Sequence, residues 1–191
     1  MAGMGNREDL LDAAKRCLYE KGYAKTSIRD IATAAGVSMA AVGYHFGSKE
    51  ALLNEAFRQA NLEWAEEITK ALDVPADAPD RFEELWTRVI HSFTAHRALW
   101  ATTFEVIGLV DHVPEIHQWL INGLAEAREG LAYPFEDRDA TLDDHTRRAM
   151  GSVYQALLTG VMAQHLIDPT TALTAHDMAT ALKAIGKSIK D

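Results

Sequence analysis

The sequence predicts an all-α fold of about nine helices, a small N-terminal helical domain followed by a larger helical one. Three observations carry this prediction. Apolar residues recur at three- and four-residue spacing along nearly the whole chain, while alternating strand-like runs are almost absent. Ser, Thr, Asp or Asn followed three residues later by an acid opens one segment after another. Glycine or proline then closes them. With 191 residues, 48% of them hydrophobic, the chain can bury a real core and is too apolar for disorder.

The elements follow in order. Asn6 with Asp9 opens a first helix that runs to Lys21 and stops at Gly22. Ser27 with Asp30 opens a second, closed by Gly36. Ser38 caps a third, Met39 to Phe46, and Ser48 a fourth that runs from Lys49 to about Leu72. The segment "DVPADAP" breaks the pattern. Asp80 with Glu83 then opens a fifth helix through Phe93, followed by a sixth around Trp100 and Phe104. Pro114 starts a seventh. After the irregular "AYPFEDRDA", Thr141 with Asp144 opens a long eighth helix that ends at Asp168-Pro169, and Thr174 with Asp177 opens the last, through Ile189. The domain boundary is placed after residue 64, giving 4–64 and 65–191, with a helix-turn-helix at about 27–46.

The first three helices are too short to stand alone and must pack on one another. Gly36-Val37-Ser38 is a tight corner between two of them, which is the helix-turn-helix pattern. Eight residues, Met39 to Phe46, span about 12 Å at 1.5 Å each, and the DNA major groove is also about 12 Å wide. With Val42 and Phe46 turned inward, Ala40, Ala41, Gly43 and Tyr44 lie on the other sides, small enough to let the backbone approach a base pair. Tyr44 and His45 bring donors to phosphates or base edges. Lys49, in the first turn of the fourth helix, suits a phosphate clamp, or is a solvated lysine beside Glu50. Ser27 and Arg29 open the second helix and could touch DNA, or Arg29 could pair with a carboxylate.

The charge distribution permits this reading. Residues 1–60 carry eight Lys/Arg against seven Asp/Glu, an excess of +1, and residues 61–191 carry eleven against twenty-one, an excess of −10. The overall charge of −9 therefore lies in the C-terminal part.

The stretch "TSIRDIATAAGVSMAAVGYHFGSKEALL", Thr26 to Leu53, resembles the N-terminal domain of the TetR family of bacterial transcriptional regulators. The resemblance covers about residues 6–60 and lies in Gly-Val-Ser, Tyr-x-Phe and Ser-Lys-Glu at their present spacing. It implies an all-helical homodimer with the third helix in the major groove and a C-terminal ligand-binding domain. By the same resemblance the DNA-contacting positions are Ser27, Arg29, Met39, Ala40, Ala41, Tyr44, His45 and Lys49, with Ser38 and Gly43 beside them. Gly43 stands where relatives often carry Tyr or Asn, and weakens the third helix by about 1 kcal/mol relative to Ala.

The C-terminal part gives no such match. Phe82, Trp86 and Phe93 share one stripe, and Trp100, Phe104 and Ile107 another; such stripes suit a plain core. Polar neighbours make a ligand pocket attractive, and Trp86, His91, Trp100, Phe104, Glu105, Tyr154 and His165 are its candidates. On the last two helices Val153, Leu157, Gly160, Val161, Gln164, Met178, Leu182 and Ile185 form faces that could meet a two-fold copy or pack within the chain. Eight histidines are too scattered to suggest a metal site, His112 and His117 flanking a turn at Pro114, and no cofactor is expected. Cys17 falls on an apolar helix face as a buried thiol. No signal peptide or membrane-spanning run is seen, so a cytoplasmic protein is expected. The functional expectation is a ligand-responsive DNA-binding regulator, a repressor acting as a homodimer on a palindromic operator. The alternatives are a helical-bundle enzyme, which lacks a clustered nucleophile and base, and a protein-interaction module.

Overall fold

A computed structural model of the chain describes residues 2–75, 78–111, 114–132 and 142–189, without the side chains of 2–6, 114–115 and 132. Among the described residues there are nine helices and no strand: α1 Ala2–Lys21, α2 Ile28–Ala35, α3 Met39–Phe46, α4 Lys49–Ala71, α5 Arg81–Ala95, α6 Arg97–Ile107, α7 Pro114–Ala132, α8 Asp144–Ile167 and α9 Ala175–Ser188. The chain divides into two compact units, Met1–Glu66 with Ala98–His117, and Glu67–Arg97 with Gln118–Asp191.

Local chemistry explains most helix ends. Ser27 and Asp30 form a reciprocal capping box on α2, as Thr174 and Asp177 do on α9. The Ser48 hydroxyl accepts the Ala51 amide at 3.0 Å and starts α4. Gly36 ends α2 with φ 69°, in the left-handed region where a side chain costs energy.

Four predicted starts differ. α1 begins at Ala2, so Asn6 lies inside a helix rather than at its cap. Ser38 occupies the N-cap position of α3 but its side chain makes no cap hydrogen bond. Asp80 precedes α5 with left-handed dihedrals, φ 56° and ψ 30°, and does not cap it either. A capping side chain needs extended backbone dihedrals to reach back to the first amides, which Asp80 lacks. α8 is capped by Asp143, which accepts the Thr146 amide, and the expected cap Thr141 lies outside the described residues, as does His112.

The first unit packs α1 on α2 and α3 through Leu10, Ala14, Leu18, Ile31 and Val42, each under 2% exposed. Leu52, Leu53 and Phe57 of α4 and Leu99 and Val106 of α6 are buried in the same unit. Trp64 meets Trp100 edge-on, centroids 4.6 Å apart. Buried Thr26 donates to the Gly22 carbonyl at 2.7 Å and pins the turn between α1 and α2. In the second unit α5 packs on α8 and α9, burying Leu85, Trp86, Val89, Phe93, Val161 and Met178. α7 lies so close to α8 that a Cβ at Gly151 would overlap the Arg128 carbonyl. Arg97 clasps the end of α8, donating to the carbonyls of His165 at 3.3 Å and Leu166 at 2.7 Å. No helix among the described residues is long and apolar enough to cross a membrane.

Candidate nucleic-acid interface

α3 is held to its unit by few side chains, and that leaves the rest of its surface open. Val42 is fully buried, worth roughly 1.5–3 kcal/mol. Phe46 is half-buried, and the Arg7 guanidinium carbon sits 5.1 Å from the centre of its ring. Around that anchor Met39, Ala40, Gly43 and Tyr44 are exposed, Ala41 and His45 half-exposed. Tyr44 is 86% exposed, an aromatic side chain left almost wholly in water, and its ring stands edge-on to His45 at 4.9 Å. Amphipathic rings of this kind usually find a partner surface.

The polar groups around α3 are in different states. The Ser27 hydroxyl is committed within the capping box: it donates to Asp30 Oδ2 at 2.7 Å and accepts the Asp30 amide at 3.2 Å. The Ser38 hydroxyl is exposed and has no hydrogen-bond partner among the described residues. Arg29 is exposed and makes no ion pair among them either. Lys49 is the reverse, half-buried with its ammonium 3.5 Å from Glu50. The sequence left both outcomes open for these two cations, and the structure gives one to each.

Sequence reasoning missed Lys25, an exposed lysine in the turn before α2 that makes no ion pair among the described residues. Its neighbour Lys21 is neutralised by Asp30 at 2.6 Å. Three donors hold the Asp30 carboxyl well below the usual carboxylate range, the Lys21 ammonium first and then the hydroxyl and amide of Ser27.

A helix-turn-helix with an open, small-residue third helix and a capped fourth helix can be compared with known proteins. The model of bacterial regulatory proteins, tetR family, matches residues 10–56. The N-terminal domain belongs to the TetR family. The HTH-type transcriptional repressor Rv1474c of Mycobacterium tuberculosis is 34% identical over 88 residues, 44% of this chain and 47% of that repressor, so the chain matches less than half of that relative's length. The HTH-type transcriptional regulator AcrR of Shigella flexneri is 26% identical over 171 residues, 85% of this chain and 79% of that one. Among solved structures, the multidrug binding protein EbrR in complex with imidazole superimposes with a TM-score of 0.68 at 26% identity, over 93% of this chain and 88% of that one.

Outside its TetR-family domain the chain holds a cavity of about 610 Å³ in the second unit, lined by the start of α5, by α8 and by α9. Of the pocket candidates only Tyr154 lines it. Trp86 is core at 1% exposure, and His91 faces away from the core and is exposed. His165 is half-buried, hydrogen-bonded through Nδ1 to the Val161 carbonyl, with its ring against Phe93. Trp100, Phe104 and Glu105 belong to the first unit. Glu105 there accepts the amides of Tyr23 and Ala24, each at 2.8 Å, and so braces the turn that leads into α2.

The candidates for the dimer face also separate. Val153, Leu157 and Leu182 line the cavity. Val161 and Met178 are buried within the chain, while Gly160, Gln164 and Ile185 are exposed, the Gln164 carbonyl oxygen accepting the Leu173 amide. The cavity residues that were not foreseen include Asp80, Glu83, Met150 and Lys183. The spacing Met150, Tyr154, Leu157 was a readable helical stripe, but the helices that complete the cavity are remote in the chain. Among the described residues no group of three His, Cys, Asp or Glu could hold a metal ion.

Proposed function

We propose that this protein is a transcriptional regulator that binds a palindromic DNA operator as a homodimer, with α3 of each copy in a major groove and a small-molecule effector controlling the fit. A cytoplasmic repressor is the expected form. The observation that carries the reading is the exposure of α3: a short helix anchored at Val42 presents Met39, Ala40 and Tyr44 outward, with unpartnered Arg29 and Ser38 beside it. Small side chains permit close backbone approach and methyl contacts with thymine, while Arg29, Ser38, Tyr44 and His45 offer donors to phosphates or base edges. Few of these side chains are long hydrogen-bonding groups, so DNA shape supplies much of the specificity. Two copies must place their α3 helices about 34–36 Å apart to reach successive grooves. An effector acts by binding the copy spacing that fits the operator and the one that misfits with unequal affinity. The likeness to a multidrug binding protein supports a ligand-taking C-terminal part.

The test is a gel-shift titration of the purified protein on the DNA upstream of its own reading frame, repeated over a salt series. Affinity is expected to fall steeply with salt as phosphate counterions are released. Arg29→Ala is expected to weaken all operator variants alike and to reduce the slope of log affinity against log salt by about 1. Binding that is indifferent to salt, or an Arg29→Ala loss confined to one operator variant, contradicts the assignment.

A further inference from the structure

We propose that the cavity bounded by the first turn of α5, by α8 and by α9 is a binding site for organic cations of drug size. Its volume of about 610 Å³ is that of a small-molecule site. Phe82, Met150, Tyr154, Leu157 and Leu182 give it an apolar and partly aromatic wall. Two carboxylates, Asp80 and Glu83, stand on that wall against one ammonium, Lys183.

Asp80 shows what the wall is arranged to meet. It holds the N-cap position of α5, where an aspartate ordinarily accepts the first helical amides. Here it is the one non-glycine residue with positive φ among the described residues, and its side chain makes no cap hydrogen bond. The carboxylate has no ion pair among them either, and it faces the cavity instead. Glu83 has only a long contact, 3.3 Å, to Nδ1 of exposed His176. An uncommitted anion beside the aromatic rings of Phe82 and Tyr154 is the chemistry that receives a cation with an apolar body. The carboxylate supplies charge and the ring faces supply a negative surface. A hydrophobic anion would find one lysine opposed by two acids.

As the effector of the regulator proposed above, the cation rests on that reading, but its binding does not need DNA. The experiment is a calorimetric titration of the full chain, without DNA, with tetraphenylphosphonium and separately with tetraphenylborate, ions of the same shape and opposite charge. Saturable binding of one phosphonium per chain is expected, with the borate about tenfold weaker, as two partly exposed carboxylates imply. Asp80→Asn keeps a residue that tolerates left-handed dihedrals and is expected to weaken the phosphonium about fivefold while leaving the borate unchanged. Equal affinity for the two ions, preference for the borate, no saturable phosphonium binding, or an inert Asp80→Asn overturns the proposal. So does phosphonium uptake confined to conditions where sedimentation shows dissociated copies, since that assigns the groove to a second copy of the chain. Failure of the gel shift with intact cation binding overturns only the regulator reading.

Discussion

At the scale of single residues, Asp30 does more than its place in a sequence pattern suggests. It caps α2 with Ser27 and also neutralises Lys21, so one carboxylate fixes the helix that supports α3. Its acidity is strengthened in the folded state, so its contribution to stability is fully present above the ordinary carboxylate value of about 4 and is lost as the pH falls below that value. Thermal unfolding should show Asp30→Asn less stable than the natural protein at pH 7, with the gap narrowing by pH 3. A gap that stays constant over that range would remove the ionised carboxylate from the account. Asp80 is the opposite case: the same residue type, at the same kind of position, turned away from its helix by left-handed dihedrals. The sequence cannot distinguish the two, because the dihedrals of the residue before a helix are set by the chain that leads into it.

At the scale of elements, α3 is short, thinly anchored and interrupted by a glycine. Nothing lies within 4 Å of where a Cβ at Gly43 would stand. Gly43→Ala is therefore expected to raise stability by about 0.5–1 kcal/mol, read from the denaturant midpoint, and to weaken operator binding by holding the backbone off the DNA. Unchanged operator affinity would place Gly43 away from the duplex. The capping boxes of α2 and α9, the Ser48 cap and the Gly36 stop were legible in the sequence because each is made within a few neighbouring residues. Reading the stripe of Phe82, Trp86 and Phe93 as core material also agrees with the burial of Trp86 and Phe93. The cavity was not legible, since its walls come from α5, α8 and α9 and depend on how these helices pack. Glu105 was misread for the same reason: its partners, the amides of Tyr23 and Ala24, are remote in sequence and carry no side-chain signal.

At the scale of the whole molecule, the excess of +1 in residues 1–60 and −10 in 61–191 directs a polyanion to the N-terminal domain and repels it elsewhere. Large apolar side chains remain in water on α8 and at the end of α9, with Val153 56%, Ile185 51% and Ile189 71% exposed. Pairing of two copies through this face would cover them. Ile185→Glu is expected to keep the helical content, to sediment as a monomer and to lose tight operator binding. A dimer that persists in this variant would move the interface elsewhere. The thiol of Cys17, 4% exposed and made less acidic by burial, is the chain's single cysteine. The natural protein is therefore almost blind to maleimide and methanethiosulfonate reagents. A cysteine introduced at Tyr44 would carry a spin label alone, and the separation of two such labels in an assembled pair could be followed as effector is added.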